Sequence, residues 1–183
     1  MDDRQPTPPR LAFAAWSGSG KTTLLKAVIP ILRQRGLRLA MIKHAHHDFD
    51  VDKPGKDSFE LRHAGAEQML VASGRRYALM VETPETDDGR TPDLDMLCAR
   101  LDPTRTDLVL VEGFKQARLP KIEVYRPALG KPPLYREVDG VVAVATDATT
   151  LDFDGPLLPV NEPEAVADFI IAHLHLNTET PHA

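Results

Sequence analysis

A chain of 183 residues with 42% hydrophobic content is long enough for one sizeable core and sits in the usual size range of one domain, so a single domain is expected. Its formal charge of −5, with lysine and arginine spread along the chain, gives no overall pull toward nucleic acid or an anionic membrane, and neither is expected as a partner. The lone cysteine, Cys98, excludes an internal disulfide and a cysteine-pair zinc site, and it fits a reducing cytoplasm.

Residues 1–10 are polar and proline-rich, and the apolar run after them is too short to cross a bilayer. They read as a flexible extension, and a single nucleotide-binding domain is expected over 11–174. The apolar run 11–15 reads as a strand. Over 22–35, Leu24, Leu25, Val28, Ile31 and Leu32 recur at helical spacing, and Gly36 follows as a helix-ending glycine. A second strand over 39–42 completes a βαβ unit, which favours a right-handed parallel crossover with its site at the strand C-termini.

Residues 44–56 are charged and poor in apolar side chains, hence a long loop. A helix follows to about Gly65, with Asp57 or Ser58 as its cap and Glu60 placed for a capping box. The β-prone runs 68–72 and 77–82 flank Ser73-Gly74-Arg75-Arg76 and predict a hairpin, which would make the sheet partly antiparallel. A solvated loop spans 83–92. Beyond it come a short helix over 94–101, a fully apolar strand over 108–111, a strand over 121–125, an irregular proline-rich stretch, and strands over 141–145 and 157–160. The closing helix covers 164–174, with Asn161 or Glu162 as its cap and Pro163 at its start. Residues 175–183 read as a frayed tail.

The most informative string lies between the first strand and the first helix. Ala15-Trp16-Ser17-Gly18-Ser19-Gly20-Lys21-Thr22 follows the phosphate-loop pattern G-x-x-x-x-G-K-S/T, with alanine at the first glycine position. Triphosphate binding needs glycines where backbone N–H groups wrap the phosphates, a lysine for the β and γ oxygens, and a hydroxyl for Mg²⁺. Gly18, Gly20, Lys21 and Thr22 provide these, within the loop core Gly18-Ser19-Gly20-Lys21-Thr22-Thr23. The alanine is tolerable if its φ is negative.

Magnesium also needs a carboxylate, best placed at the C-terminal end of a neighbouring apolar strand. Leu108-Val109-Leu110-Val111-Glu112-Gly113 meets that description. Glu112 is the candidate for the metal, directly or through water, and Gly113 would let the backbone approach the γ-phosphate. The alternative is an acidic residue that merely ends a strand.

The loop Lys43-His44-Ala45-His46-His47-Asp48-Phe49-Asp50-Val51-Asp52-Lys53 should overhang the phosphates. It reads as a γ-phosphate-sensing switch, with Asp48, Asp50 or Asp52 near magnesium and Lys43 or His44 near the phosphates. A transition-metal site on His44, His46 and His47, or a solvated loop without chemistry, are the alternatives. No catalytic residue is fixed by the sequence; His44 and Asp48 are the candidates for hydrolysis. At the other end of the site, guanine offers N1–H and N2 amine donors that one carboxylate accepts together. Asp147, after the late strand, is the candidate, although the string N/T-K-x-D is absent and a turn aspartate is the competing reading. Asn161 reads as a helix cap.

Three strings together, FAAWSGSGKTTLL at 13–25, IKHAHHDFDVDKPGKDSFELRHAGA at 42–66 and DLVLVEGFK at 107–115, resemble the molybdopterin-guanine dinucleotide biosynthesis protein B (MobB) family. The resemblance runs from about residue 11 to 174, and alanine at 15 agrees with it. It implies an α/β P-loop NTPase-like fold with an extended, mixed but mainly parallel sheet, a homodimer, GTP and Mg²⁺ as ligands, and weak GTP hydrolysis. By the same resemblance the protein would assist the nucleotidyltransferase that joins GMP to molybdopterin, and would meet the target molybdoenzymes. Two other functions stay open from the residues themselves: a small-molecule kinase using Asp48 or Asp50 as base, and a nucleotide-driven metal-delivery chaperone built on the histidine loop.

Overall fold

The computed structural model describes residues 7–45, 49–83 and 92–178. They fall into two compact units, one formed by residues up to His44 together with those from Pro92 onward, the other by the residues between.

The larger unit is built on a six-stranded sheet. Its strands are β1 (Arg10–Ala15), β2 (Leu39–Lys43), β5 (Leu108–Glu112), β6 (Lys121–Tyr125), β7 (Val141–Thr146) and β8 (Leu157–Pro159), in the order β2-β5-β1-β6-β7-β8. Every pairing in it is parallel. The sequence-predicted β1–helix–β2 unit is present, with β5 inserted between its two strands. Helices α1 (Lys21–Gln34) and α4 (Pro163–His173) share one core with Leu11, Phe13 and Ala15 of β1. Helix α3 (Leu94–Cys98) contributes Leu94 to a second cluster with Ala12, Val109 and Val111. The alternation along β1 assigns successive side chains to different sides of the sheet, which is why a strand buried throughout can support helices on both faces.

Burying each of these large apolar side chains stabilises the fold by roughly 1.5–3 kcal/mol. Leu24, Leu25, Val28 and Leu32 supply the buried stripe of α1 at the expected helical spacing. That stripe fixes the helix start, and with it the phosphate-loop residues, against the end of β1.

Two buried charges in β6 are tied to backbone. Lys121 is 1% exposed, and its ammonium donates to the carbonyls of Ala117 (2.6 Å), Leu119 (3.2 Å) and Asp139 (2.8 Å). Burial pushes its pKa down. Glu123 is fully buried and accepts from the backbone N–H groups of Leu134 (2.7 Å) and Tyr135 (2.8 Å). Burial raises its pKa, and those two donors oppose the rise. Glu123→Gln keeps the volume but turns one acceptor into a donor facing another donor. We expect it to destabilise the protein by about 2 kcal/mol, read from the urea midpoint at unchanged m-value.

The smaller unit holds α2 (Asp57–His63) and a hairpin of β3 (Gln68–Ala72) and β4 (Tyr77–Val81), paired antiparallel from Gln68↔Val81 to Ala72↔Tyr77. The predicted antiparallel pairing therefore forms, but as a two-stranded sheet of its own. Helix α2 starts one residue earlier than a cap at Asp57 or Ser58 requires: Lys56 is the N-cap, without a side-chain bond. Glu60 reaches back to the N–H of Gly55 instead (3.3 Å). Arg62 gathers three acids, Asp50, Asp52 and Glu82, tying the loop and the hairpin end to the helix.

Candidate functional site

The chain leaves the sheet at Ala15 and turns through Trp16–Gly20 into α1. Gly18 (φ +83°) and Gly20 (φ +86°) are both in the left-handed region that favours glycine. Ala15 is not: among the described residues only His175 is a non-glycine with positive φ, so alanine at the first position carries no strain. Ser19 is buried, and its hydroxyl donates to the Trp16 carbonyl (2.7 Å) while its N–H reaches the same oxygen (3.3 Å). Ser19 thus shapes the loop through its side chain. The Trp16 indole donates to the Pro132 carbonyl (2.7 Å), and the Lys115 ammonium lies 4.6 Å from the centre of its ring.

Helix α1 opens with glycine as N-cap, no side-chain capping bond and no acid in its first turn. The first intrahelical donor bond is that of Leu24 to the Gly20 carbonyl (2.9 Å). The N–H groups of Lys21, Thr22 and Thr23 therefore lie at a positive helix terminus without a competing carboxylate on the helix, an arrangement suited to phosphate.

The two motifs read separately from the sequence meet here. The Lys21 ammonium lies 3.0 Å from a Glu112 carboxylate oxygen, and both side chains are largely buried. Glu112 ends β5, which lies beside β1, with Phe13 as its neighbour in register on one side and Lys43 on the other. The hydroxyl of Thr22, in the exposed first turn of α1, and the Glu112 carboxylate are hard oxygen donors. Such a small set, completed by phosphate oxygens and water, is what Mg²⁺ takes in triphosphate sites, so these residues fit that ion.

Gly113 (φ +93°) follows, and a Cβ placed on it would come within 2.9 Å of the His44 Cβ and 3.2 Å of the His44 carbonyl oxygen. His44 is anchored next to it: its N–H donates to the Glu112 carbonyl (2.8 Å), and its ring lies 5.2 Å from that of Phe114. Asp48, proposed for the metal and as a catalytic group, lies outside the described residues, as do His46 and His47. Among the described residues no cluster of three histidine, cysteine or acidic side chains has a metal-holding arrangement. Asp50 and Asp52 are engaged by Arg62.

At the far end of the sheet, Asp147 stands immediately after β7 and Asn161 just beyond β8. Thr146, buried at the end of β7, accepts from the Ala148 N–H (3.1 Å) and shapes the turn that carries Asp147. Asn161 does not cap α4; Glu162 is the N-cap, with Pro163 in the first turn. Sequence reasoning missed Arg126, the first residue after β6. Its guanidinium pairs with Asp147 (2.6 Å) and donates to the Asn161 side-chain oxygen (3.0 Å). The position directly after a strand neighbouring β1 was the available signal, but a lone arginine has no motif around it.

The family profile described as molybdopterin guanine dinucleotide synthesis protein B matches residues 10–147. Among curated proteins, the molybdopterin-guanine dinucleotide biosynthesis adapter protein of Escherichia coli (strain K12) is 53% identical over 164 residues, covering 89% of this chain and 91% of its own. The protein of the same description from Haemophilus influenzae is 46% identical over 168 residues, covering 91% and 90%. Among solved structures, a molybdopterin-guanine biosynthesis protein B superposes with a TM-score of 0.69 at 31% identity, covering 90% of this chain and 99% of that one. A Bacillus subtilis structure at 23% identity and TM-score 0.70 has the same fold.

Proposed function

The chain belongs to the molybdopterin guanine dinucleotide synthesis protein B family, and from that premise we propose that it is a cytoplasmic, GTP- and Mg²⁺-binding adapter in molybdopterin guanine dinucleotide biosynthesis. The observation that carries the ligand is the meeting of Lys21 and Glu112 at 3.0 Å beside a glycine-shaped loop and an acid-free helix start. The N–H groups of residues 18 and 20–23 hold the phosphates in a loop that Ser19 shapes, with Lys21 on the β and γ oxygens. Thr22 and Glu112 hold the magnesium, which when bound offsets the negative charge of those oxygens. Asp147 accepts from guanine. Hydrolysis is weak, with His44, seated beside Gly113, and Asp48 as the catalytic candidates.

The adapter acts beside the guanylyl-transferring enzyme and hands the cofactor on to target molybdoenzymes. It works as a homodimer. The hairpin supports this reading: Leu70, Val71, Tyr77, Leu79 and Val81 are all exposed on a two-stranded sheet, a structure of marginal stability alone.

Calorimetric titration of the purified protein tests the ligand. GTP should bind in the presence of Mg²⁺, more weakly once the ion is chelated, and more tightly than ATP. Binding of ATP at least as tight as GTP would refute the guanine reading. Absence of any triphosphate binding would refute the site as a whole.

A further inference from the structure

Arg126 bridges three elements that the phosphate-loop description leaves separate. One guanidinium nitrogen holds Asp147 after β7, a second holds Asn161 after β8, and the third, Nε, lies 3.8 Å from where a Cβ on Gly20 would stand. The phosphate loop, the β7 end and the β8 end therefore converge on one side chain. Arginine suits this task because its planar fork presents several donors in fixed directions from one centre.

The pairing also decides what remains available on each partner. Arg126 occupies one oxygen of Asp147, leaving the other to accept. It occupies the amide oxygen of Asn161, which leaves the amide nitrogen as the donor. We propose that Arg126 is the positioning residue of a purine-base subsite, holding Asp147 and Asn161 as one composite edge that accepts at one end and donates at the other. Guanine matches that edge, with N1–H and the N2 amine toward Asp147 and O6 toward Asn161. Adenine does not: it has an amine where O6 would be and an unprotonated N1, so donor faces donor and acceptor faces acceptor. This inference rests on the reading of the ligand as GTP, and deepens it by assigning the two residues beyond Asp147.

The test compares dissociation constants for GTP, ATP and inorganic tripolyphosphate, all with Mg²⁺, in the unaltered protein, Arg126→Ala, Arg126→Lys, Asp147→Asn and the Arg126→Ala/Asp147→Asn double variant. The expected result is a fall in the GTP-over-ATP preference of about tenfold or more in either Arg126 variant, with tripolyphosphate affinity held within about twofold. Lysine keeps the charge but cannot fork to both partners, so it answers the question if the alanine variant does not fold. The double variant should have no lower preference than Asp147→Asn alone, because Arg126 acts through that carboxylate. Equal losses for all three ligands would mean that Arg126 contacts phosphate, and would overturn the proposal. So would a preserved preference in both Arg126 variants, with GTP still favoured by the unaltered protein; that outcome leaves the GTP reading intact. A protein that favours neither base, or binds neither nucleotide, overturns both.

Discussion

Lys21→Ala is expected to weaken GTP binding about a hundredfold, the equivalent of roughly 3 kcal/mol. The lysine is the one cation of the phosphate loop, and its ammonium is a point donor to the most negative part of the ligand. Its surroundings raise the effect above that of a surface lysine, since both it and Glu112 are largely screened from water. Alanine also leaves the Glu112 carboxylate without its 3.0 Å partner, next to incoming phosphate, so lost attraction is joined by uncovered repulsion. Calorimetric titration of GTP with Mg²⁺ checks it. Binding by the variant at undiminished affinity would remove residues 18–23 as the site. With the magnesium chelated, where no metal ligand is at stake, the companion change Lys21→Ala/Glu112→Gln should recover part of the loss by removing the repulsion, a coupling that two unrelated residues would not show.

Gly113→Ala should damage the fold at the site itself, costing about 3 kcal/mol of stability. A left-handed φ of +93° accounts for about 1–2 kcal/mol of that with any L side chain. The rest is collision: the new Cβ would stand 2.9 Å from the Cβ of His44 and 3.2 Å from its carbonyl oxygen, so backbone as well as side chain must give way. Because the His44 N–H is bonded to the Glu112 carbonyl, a displaced His44 drags at the residue that pairs with Lys21. Thermal unfolding and GTP affinity should therefore both decline. Gly18→Ala is the informative contrast: it shares the positive φ, yet nothing lies within 4 Å of its added Cβ, so it should lose the conformational part of the stability alone.

The same contrasts explain what was legible beforehand. The β1–loop–α1 passage could be read because a glycine-lysine string has few other uses and Leu24, Leu25, Val28 and Leu32 repeat at helical spacing. Glu112 was visible as the charge that ends an apolar run. Arg126 was not, since its role depends on three strand ends and a loop converging, and no local pattern encodes strand order. For the same reason the β-prone runs around Ser73-Gly74-Arg75-Arg76 revealed the β3–β4 hairpin but not that it would form a separate sheet. The start of α2 moved because cap preference is weak where the candidate capping side chains find no bond, and Glu60 found the Gly55 N–H instead. Of the two cap candidates for α4, Glu162 took the place, while Asn161, a side chain suited to capping, was recruited by a stronger, charged donor.

Trp16 is the sole indole of the chain, and it forms part of the phosphate loop itself, with its ring nitrogen bonded to the Pro132 carbonyl and the Lys115 ammonium against its face. Indole emission responds to the local field and to the polarity around the ring. The molecule thus carries an intrinsic fluorophore whose signal comes entirely from the loop that cradles the phosphates, with no competing tryptophan elsewhere. Ligand arrival, cation exchange and rearrangement of the 130–133 segment can each be followed optically in the unlabelled protein.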